Sequence, residues 1–295
     1  MLTLRSESRK FEDDIRRRMC EDNKANWGAR IGDALMRLVL GCLMLWNYQV
    51  GGDPAKADAD LIQRLQHKDA KVRHQGIEMA AAAGDSLDPR VIRVLVEAMN
   101  DNDVKTRQKV LFAIAEIGPR AREWGGGRKL GDAVAKLFQD KDAIVRKAAV
   151  AAYGRIGIDT KDEIEIIAAP LKEKAADLKI AAAQSLGQYF HVGTPFEWRV
   201  YALDQMADNL SDKDIKVQEA TAIVMASAGA DAVPAATRIL DKDKGQGRVW
   251  AVRVLADIGP AAAEAIPTLE RVIGELPAAA PARKLFQEAL KKIRS

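Results

Sequence analysis

A motif that recurs along the chain constrains its fold more than any other feature of the sequence. An aspartate is followed four residues later by a basic residue, and a glycine follows 11 residues after that, as in Asp103, Arg107 and Gly118. The motif continues in weaker form, and its basic position is marked at intervals of 30 to 39 residues by Arg73, Arg107, Arg146, Lys179, Gln218 and Arg248. Recurrence at a period of about 20 to 50 residues is the signature of a repeat protein.

Each repeat contains two stretches in which apolar residues have helical spacing. Residues 91–99 and 130–138 place apolar side chains at i, i+3 and i+4, which builds one apolar stripe along a helix. Aspartate-rich turns, such as 100–103 and 140–142, separate these helices from the ones that begin at the recurring motif. No stretch alternates apolar and polar residues as a half-buried strand does. The sequence therefore predicts an all-α fold made of antiparallel helix pairs.

Alanine-rich stretches in the second helix of a pair, such as 80–83 and 181–183, allow helix axes to approach closely. One pair cannot bury its apolar stripe alone, so neighbouring pairs must stack around a continuous core. We therefore expect residues 53–295 to form a right-handed α-solenoid, a superhelix of about seven stacked antiparallel helix pairs. The second helices are expected to line its concave side.

The pattern resembles a known repeat family. The Asp-x-x-Val-Arg motif and the apolar-Pro pairs at 233–234 and 266–267 are similar to HEAT repeats. The short, alanine- and glycine-rich form is most similar to the PBS lyase-type HEAT-like repeats, and the resemblance covers residues 58–294. Because such arrays mostly serve as protein-binding scaffolds, the resemblance implies a scaffold.

The resemblance also implies structural roles for the aspartate and arginine of the motif, which in such arrays bridge adjacent repeats and cap helices. The expected inter-repeat ladder consists of Asp69, Arg73, Asp103, Arg107, Asp142, Arg146 and Arg248. Lys179 and Gln218 depart from the motif. We therefore expect the middle of the array to be tied together less tightly.

The composition limits the chemistry that is open to the chain. The 46 basic and 42 acidic residues are intermixed and give a net charge of +4, so no basic face for nucleic acid is indicated. Two cysteines exclude a disulfide framework, and three histidines leave little material for a metal centre. We expect a monomer without metal, cofactor or catalytic residues, whose partner is a protein.

The first 52 residues differ from the repeats. Residues 1–35 are polar and heavily charged and are expected to be poorly ordered, whereas residues 38–46 form an uninterrupted apolar run of nine. A bilayer span needs roughly 20 apolar residues, but a signal peptide needs fewer. Residues 36–52 are thus either a signal peptide or tether of an exported protein, or a helix packed on the first repeat of a cytoplasmic one. Contact with a membrane is expected only through this segment.

Two departures from the repeat pattern supply candidate partner-binding residues. Residues 119–129 lengthen one connection and contain three successive glycines, so they form either a mobile binding loop or a loop whose tryptophan folds back onto the array. Tryptophan and arginine are enriched at binding hot spots, and the candidates in this segment are Trp124, Arg120, Arg122 and Arg128. Trp250 replaces a small residue early in its helix and either fills a widened groove or protrudes from the concave face.

The function predicted from these features is that of a non-enzymatic scaffold. It would bind a protein partner through the concave face and through the segment 119–129. The alternative is an enzyme that uses the same concave groove, of the bilin lyase or the DNA glycosylase type known among HEAT-like proteins. A glycosylase would need an aromatic and acidic cluster on a basic face, and Trp198 and Asp204 are the nearest candidates for it.

Overall fold

Fifteen α-helices follow one another through residues 54–190 and 193–295, the part of the chain that the computed structural model describes. In chain order they are α1 (Pro54–Leu65), α2 (Ala70–Ala83), α3 (Pro89–Ala98), α4 (Val104–Ile117), α5 (Pro119–Trp124), α6 (Arg128–Lys136), α7 (Ala143–Ile156), α8 (Lys161–Ala168), α9 (Ala176–Gly187), α10 (Phe196–Ala207), α11 (Ile215–Ser227), α12 (Val233–Lys242), α13 (Gln246–Ile258), α14 (Ile266–Glu275) and α15 (Pro281–Arg294). Since these residues contain helices and no strand, the predicted all-α class is confirmed.

Successive helices form seven antiparallel pairs, in which α5 and α6 together serve as the first helix of the third pair. The second helices are α2, α4, α7, α9, α11, α13 and α15. Each second helix packs against a first helix of its own pair and against the second helices of the neighbouring pairs. Buried apolar side chains form one continuous core from Leu61 in α1 to Ile293 in α15. The fold is therefore an α-solenoid, as predicted.

Aspartate side chains begin several of the second helices. The carboxylate of Asp103 accepts a hydrogen bond from the backbone N–H of Thr106 at 2.8 Å, and that of Asp142 accepts one from Ile144 at 2.9 Å. Asp69 caps α2 in the same way. These bonds satisfy backbone N–H groups that have no partner within the helix. The first residue of the recurring motif is thus an N-cap.

The glycine of the motif ends the second helix. Gly118 has φ +64°, a left-handed conformation that residues with a side chain rarely adopt, and its N–H donates to the carbonyl oxygen of Ile114 at 2.9 Å. The chain then turns directly into α5. The 11-residue spacing from arginine to glycine therefore places the end of a second helix, which is 14 residues long in α4.

Small residues let the second helices lie close together. A Cβ atom added to Gly154 in α7 would lie 2.7 Å from Cβ of Ser185 in α9, and one added to Gly187 would lie 2.8 Å from a methyl of Val224 in α11. The first helices contact one another less extensively than the second helices do. The second helices therefore form the more closely packed row of the array, as expected of the row on the concave side.

The predictions for the first 52 residues lie outside the described part of the chain. This applies to the charged segment 1–35, to the apolar run at 38–46 and to both cysteines. Within residues 54–190 and 193–295, no helix is long and apolar enough to cross a membrane.

Candidate functional site

Basic side chains at the motif position bridge successive repeats along one edge of the solenoid. The guanidinium of Arg107 in α4 donates from Nε and Nη2 to the two carboxylate oxygens of Asp140 in the next repeat, at 2.9 and 3.0 Å. The same arrangement joins two further pairs of residues, Arg73 with Asp101 and Lys179 with Asp212. We call these three ion pairs the edge ladder.

The edge ladder is electrostatically favourable. Burial by itself would raise the pKa of the Asp140 carboxyl, but the hydrogen bonds and charge of Arg107 outweigh it and hold this pKa below its ordinary value. The pKa of Asp212 is lowered in the same way against burial, by Lys179. Lys179, which stands where other repeats have arginine, thus still bridges to the next repeat in the middle of the array, whereas Gln218 binds the backbone oxygen of Asp212 and forms no ion pair. The looser connection that we expect in the middle therefore applies to Gln218 and not to Lys179.

Of the two roles expected for the aspartates of the predicted ladder, Asp103 and Asp142 have the capping role, while other aspartates accept the basic side chains. The acceptors Asp101 and Asp140 lie two residues before the N-caps Asp103 and Asp142. The caps still contact the preceding repeat, because His74 Nε2 lies 2.9 Å from the carboxylate of Asp103. The spacing of the motif does not distinguish the two aspartates of each turn, and this explains the difference.

Two arginines of the predicted ladder behave differently from Arg107. Arg146 donates to the carbonyl oxygens of Asp140 and Lys141, at 2.9 and 3.1 Å, and pairs with no carboxylate in the described part of the chain. Nη1 of Arg248 lies 3.6 Å from the carboxylate of Glu275 in the following repeat. Arg248 thus bridges repeats, whereas Arg146 stabilises the turn that precedes its own helix.

The segment 119–129 is not a mobile loop, which corrects one of the two alternatives. Residues 119–124 form the helix α5, and Arg122 in it is only 5% exposed. Its guanidinium donates to the carboxylates of Asp159 and Glu163, each at 2.7 Å, and to the carbonyl oxygen of Gly157 at 2.9 Å. Arg122 is therefore an internal residue, and its side chain cannot contact a binding partner.

The partner of Arg122 is a fully buried carboxylate. Glu163, at the start of α8, is 0% exposed, and its second oxygen accepts from the backbone N–H of Asp159 at 2.8 Å. Burial alone would raise the pKa of Glu163, but the hydrogen bonds from Arg122 and the backbone lower it. Tyr153 lies beside this pair, and burial raises the pKa of its hydroxyl. The cluster thus locks the third and fourth helix pairs together.

The other candidates in this segment lie at the surface. Trp124 is half-buried and packs on the core, with the guanidinium carbon of Arg120 at 5.5 Å from the centre of its ring. Arg128 is exposed, and its Nε lies 3.9 Å from Asp132. Trp124 therefore folds back onto the array, which was the second alternative.

A groove of about 360 Å³ opens between the last three second helices, α11, α13 and α15. Ala222 and Ile223 line it from α11, Trp250 and Ala256 from α13, and Leu285 from α15. We call it the C-terminal groove. Ile223 is 64% exposed there, although large apolar side chains are usually covered in a solenoid core.

Trp250 forms part of the groove and is almost completely buried. It is 8% exposed, and its indole N–H donates to the side-chain carbonyl of Gln218 at 2.6 Å. The guanidinium carbon of Arg253 lies 4.7 Å from the centre of the ring, which is the geometry of a cation–π contact. Trp250 therefore fills the space between two repeats and does not protrude, and Arg253 stacks on its ring.

Charged side chains of both signs surround the apolar part of the C-terminal groove. The acids are Glu219, Asp257 and Glu288, and the bases are Arg253 and Lys292. None of the five forms an ion pair with another residue in the described part of the chain. The charges of the edge ladder, in contrast, are paired. Composition and motif spacing gave no sign of this groove; the tryptophan at position 250 was its one signal.

The cluster that a glycosylase would need does not form on the concave face. Trp198 and Asp204 both lie on α10, a first helix, and the carboxylate of Asp204 is bound by Arg238 at 2.9 Å. Among the described residues, no group of three histidine, cysteine or acidic side chains is arranged to hold a metal ion.

The chain is thus an α-solenoid of stacked helix pairs, in which ion pairs join successive repeats along one edge. The family model of HEAT repeats matches residues 92–187, and the predicted resemblance to HEAT repeats is confirmed there. No curated protein matches the sequence.

Three solved structures are similar to this chain. An engineered protein is 20% identical, with a TM-score of 0.46, over 80% of this chain and 67% of its own. A second engineered protein is 21% identical, with a TM-score of 0.43, over 69% and 96%. The complex of CpcE and CpcF of phycocyanin lyase from Nostoc sp. PCC7120 is 17% identical, with a TM-score of 0.43, over 79% and 93%.

Proposed function

We propose that the protein is a non-enzymatic scaffold that binds a protein partner in the C-terminal groove. The fold supports this role, because solenoids of stacked helix pairs present extended concave surfaces that other proteins occupy. The groove lies on the side of the second helices, where such a surface is found. One observation carries the proposal: an exposed isoleucine and a tryptophan–arginine stack share a groove with charges that form no ion pair among the described residues.

The apolar part of the groove has the character of a binding hot spot. Ile223 presents an exposed side chain next to Trp250, whose ring is already fixed by its hydrogen bond to Gln218. Arg253 lies over that ring and is held in place before any partner arrives. Preorganised aromatic and arginine side chains contribute most of the binding free energy in protein interfaces.

The charged rim gives the groove its selectivity. Because Glu219, Asp257 and Glu288 lie near Arg253 and Lys292 and form no ion pair within residues 54–190 and 193–295, a partner that carries both signs of charge can satisfy them. A purely acidic ligand such as nucleic acid would be repelled by three of these five side chains. This supports a protein segment as the ligand.

The sequence predicts that a partner binds both the concave face and residues 119–129. The proposal assigns partner binding to the groove alone. The guanidinium of Arg122 is bound by the carboxylates of Asp159 and Glu163, and Trp124 packs on the core. What remains at the surface of that segment is Arg120 and Arg128, two exposed arginines of the kind found on most protein surfaces.

Affinity capture from the native cell tests the proposal with a matched pair of variants. Ile223→Asp places a carboxylate in the groove, whereas Ile215→Asp makes the same change on the same helix outside it, at a residue that is 62% exposed. The wild-type protein and Ile215→Asp should capture the same stoichiometric protein partner, and Ile223→Asp should lose it. The contact is then measured again with purified partner.

Two results would contradict the proposal. Equal capture by all three proteins would place the binding surface elsewhere on the solenoid. Retention of a tetrapyrrole or of damaged DNA without a protein would favour the enzymatic alternative.

A further inference from the structure

The chemistry of the C-terminal groove defines what can fill it. Its apolar part is lined by Ile223, Trp250 and Leu285, so an occupant must present two or three apolar side chains in a row. Its rim carries three acids and two bases without ion pairs in the described part of the chain, so the occupant must also bring charges of both signs.

One segment of the chain itself has this composition. Phe11, Ile15 and Met19 recur at every fourth residue, a spacing that puts all three side chains on one face of a helix. Residues 12–14 between them are acidic, and residues 16–18 are three arginines. The three apolar residues would extend over about 12 Å of helix, which is shorter than the width of roughly 16–20 Å spanned by three packed helices.

The length of the connecting chain allows this segment to reach the groove. Residues 20–53 connect it to α1, and 34 residues extend at most about 110 Å. From the first helix pair to the sixth, five steps of about 10 Å add up to roughly 50 Å. The apolar run at 38–46 has only residues 47–53 as a connection, which extend about 25 Å, so it cannot reach the groove of its own molecule.

We propose that residues 11–19 occupy the C-terminal groove of their own molecule and that the partner must displace them. Glu12 and Asp14, which flank the apolar face of a helix formed by residues 11–19, would pair with Arg253 and Lys292. Arg16 and Arg18 would pair with the three groove acids, whereas residues 13 and 17 lie on the opposite side. Because the segment is tethered, its effective concentration at the groove is in the millimolar range, so even a weak contact closes the groove. The proposal rests on the groove being the binding surface of the scaffold.

Amide hydrogen exchange of the full chain tests this occupation without any partner. In the wild-type protein, residues 11–19 should exchange at least about tenfold more slowly than in Ile223→Asp, because occupation of the groove protects their amides. Ile215→Asp is the control and should leave the protection unchanged. Ile15→Asp, on the other side of the contact, should abolish the protection of its own segment.

Three outcomes would overturn the proposal. Exchange of residues 11–19 at the rate of an unfolded peptide in the wild-type protein would show that the groove is open. Protection that survives Ile223→Asp would place the segment at another surface. Protection that disappears on dilution would assign the contact to two copies of the chain. None of these results depends on capture of a partner, so each can be told apart from a failure of the scaffold function.

Discussion

The indole N–H of Trp250 donates to the side-chain carbonyl of Gln218, 32 positions earlier in the chain, at 2.6 Å. Gln218 stands at the position where other repeats carry arginine or lysine. An arginine has five N–H donors and no acceptor, so it could not receive this hydrogen bond. Gln218 therefore departs from the motif at the position where it can accept the hydrogen bond of Trp250, and the two unusual residues explain each other.

Gln218→Met should destabilise the protein by about 1–3 kcal/mol, the cost of leaving a buried N–H without an acceptor. Trp250 stays in place in this variant, so the loss reports on the hydrogen bonds of Gln218 and not on a cavity. These include the bond that the Gln218 amide donates to the carbonyl oxygen of Asp212. The midpoint of urea unfolding measures the change. Gln184→Met is the matched control, because Gln184 is exposed on the second helix α9 and its replacement should cost less than about 0.5 kcal/mol.

Arg122→Met should lower the free energy of unfolding by about 3–5 kcal/mol, since it leaves the carboxylate of Glu163 buried without its cation. Arg128→Met removes an arginine from the same segment, where the side chain is exposed, and should cost less than about 0.5 kcal/mol. Chemical denaturation of both variants decides the question. Equal costs would mean that Arg122 contributes no more than a surface residue.

Asp103 should make stability fall in acid. Hydrogen bonds from Thr106, and secondly from His74, lower the pKa of its carboxyl from 3.8 to about 2. Because the pKa in the folded state lies below that in the unfolded state, the stabilisation is complete above about pH 5 and is lost as the pH falls toward 2. Asp103→Asn retains a capping oxygen that does not titrate, so its stability should depend less on pH in this range. Urea unfolding at about pH 5, 3.5 and 2 measures both proteins, and parallel curves would exclude the carboxylate as the cause.

Two helical glycines should respond in opposite directions to alanine. Gly154→Ala brings a methyl to 2.7 Å from Cβ of Ser185 and should destabilise by about 1–3 kcal/mol through overpacking. Gly274→Ala, in α14, meets no atom within 4 Å and should stabilise by up to about 1 kcal/mol, because alanine favours helix. Thermal unfolding of the two variants provides the comparison. A stable Gly154→Ala would mean that the second helices can move apart at little cost.

The ends of the second helices could be predicted from the sequence. The caps Asp103 and Asp142 follow from local chemistry, because an N-cap bonds to residues two or three positions away. The glycine that ends α4 follows in the same way from its left-handed backbone. The helix caps depend only on residues close in sequence, and they were therefore predicted together with the fold.

The internal role of Arg122 could not be derived in this way. Its partner Glu163 lies 41 positions away in another helix pair, and no motif links the two residues. From the sequence, an arginine near a tryptophan and three glycines is typical of a surface loop, and the helix α5 forms there instead. The C-terminal groove escaped prediction for a related reason, because it is built from three helices that the repeat pattern treats as equivalent.

The C-terminal groove has one wall on α15, and this makes binding sensitive to how firmly that helix packs on the array. The helix α15 contributes Leu285, Glu288 and Lys292, and it has a second-helix neighbour on one side only, within the described residues. A helix held by one such interface detaches at a lower free-energy cost than a helix held by two. Each time α15 detaches from α13, one wall of the groove is lost with it. A bound partner would therefore hold α15 against α13, and a substitution that weakens this contact would weaken binding without touching the ligand.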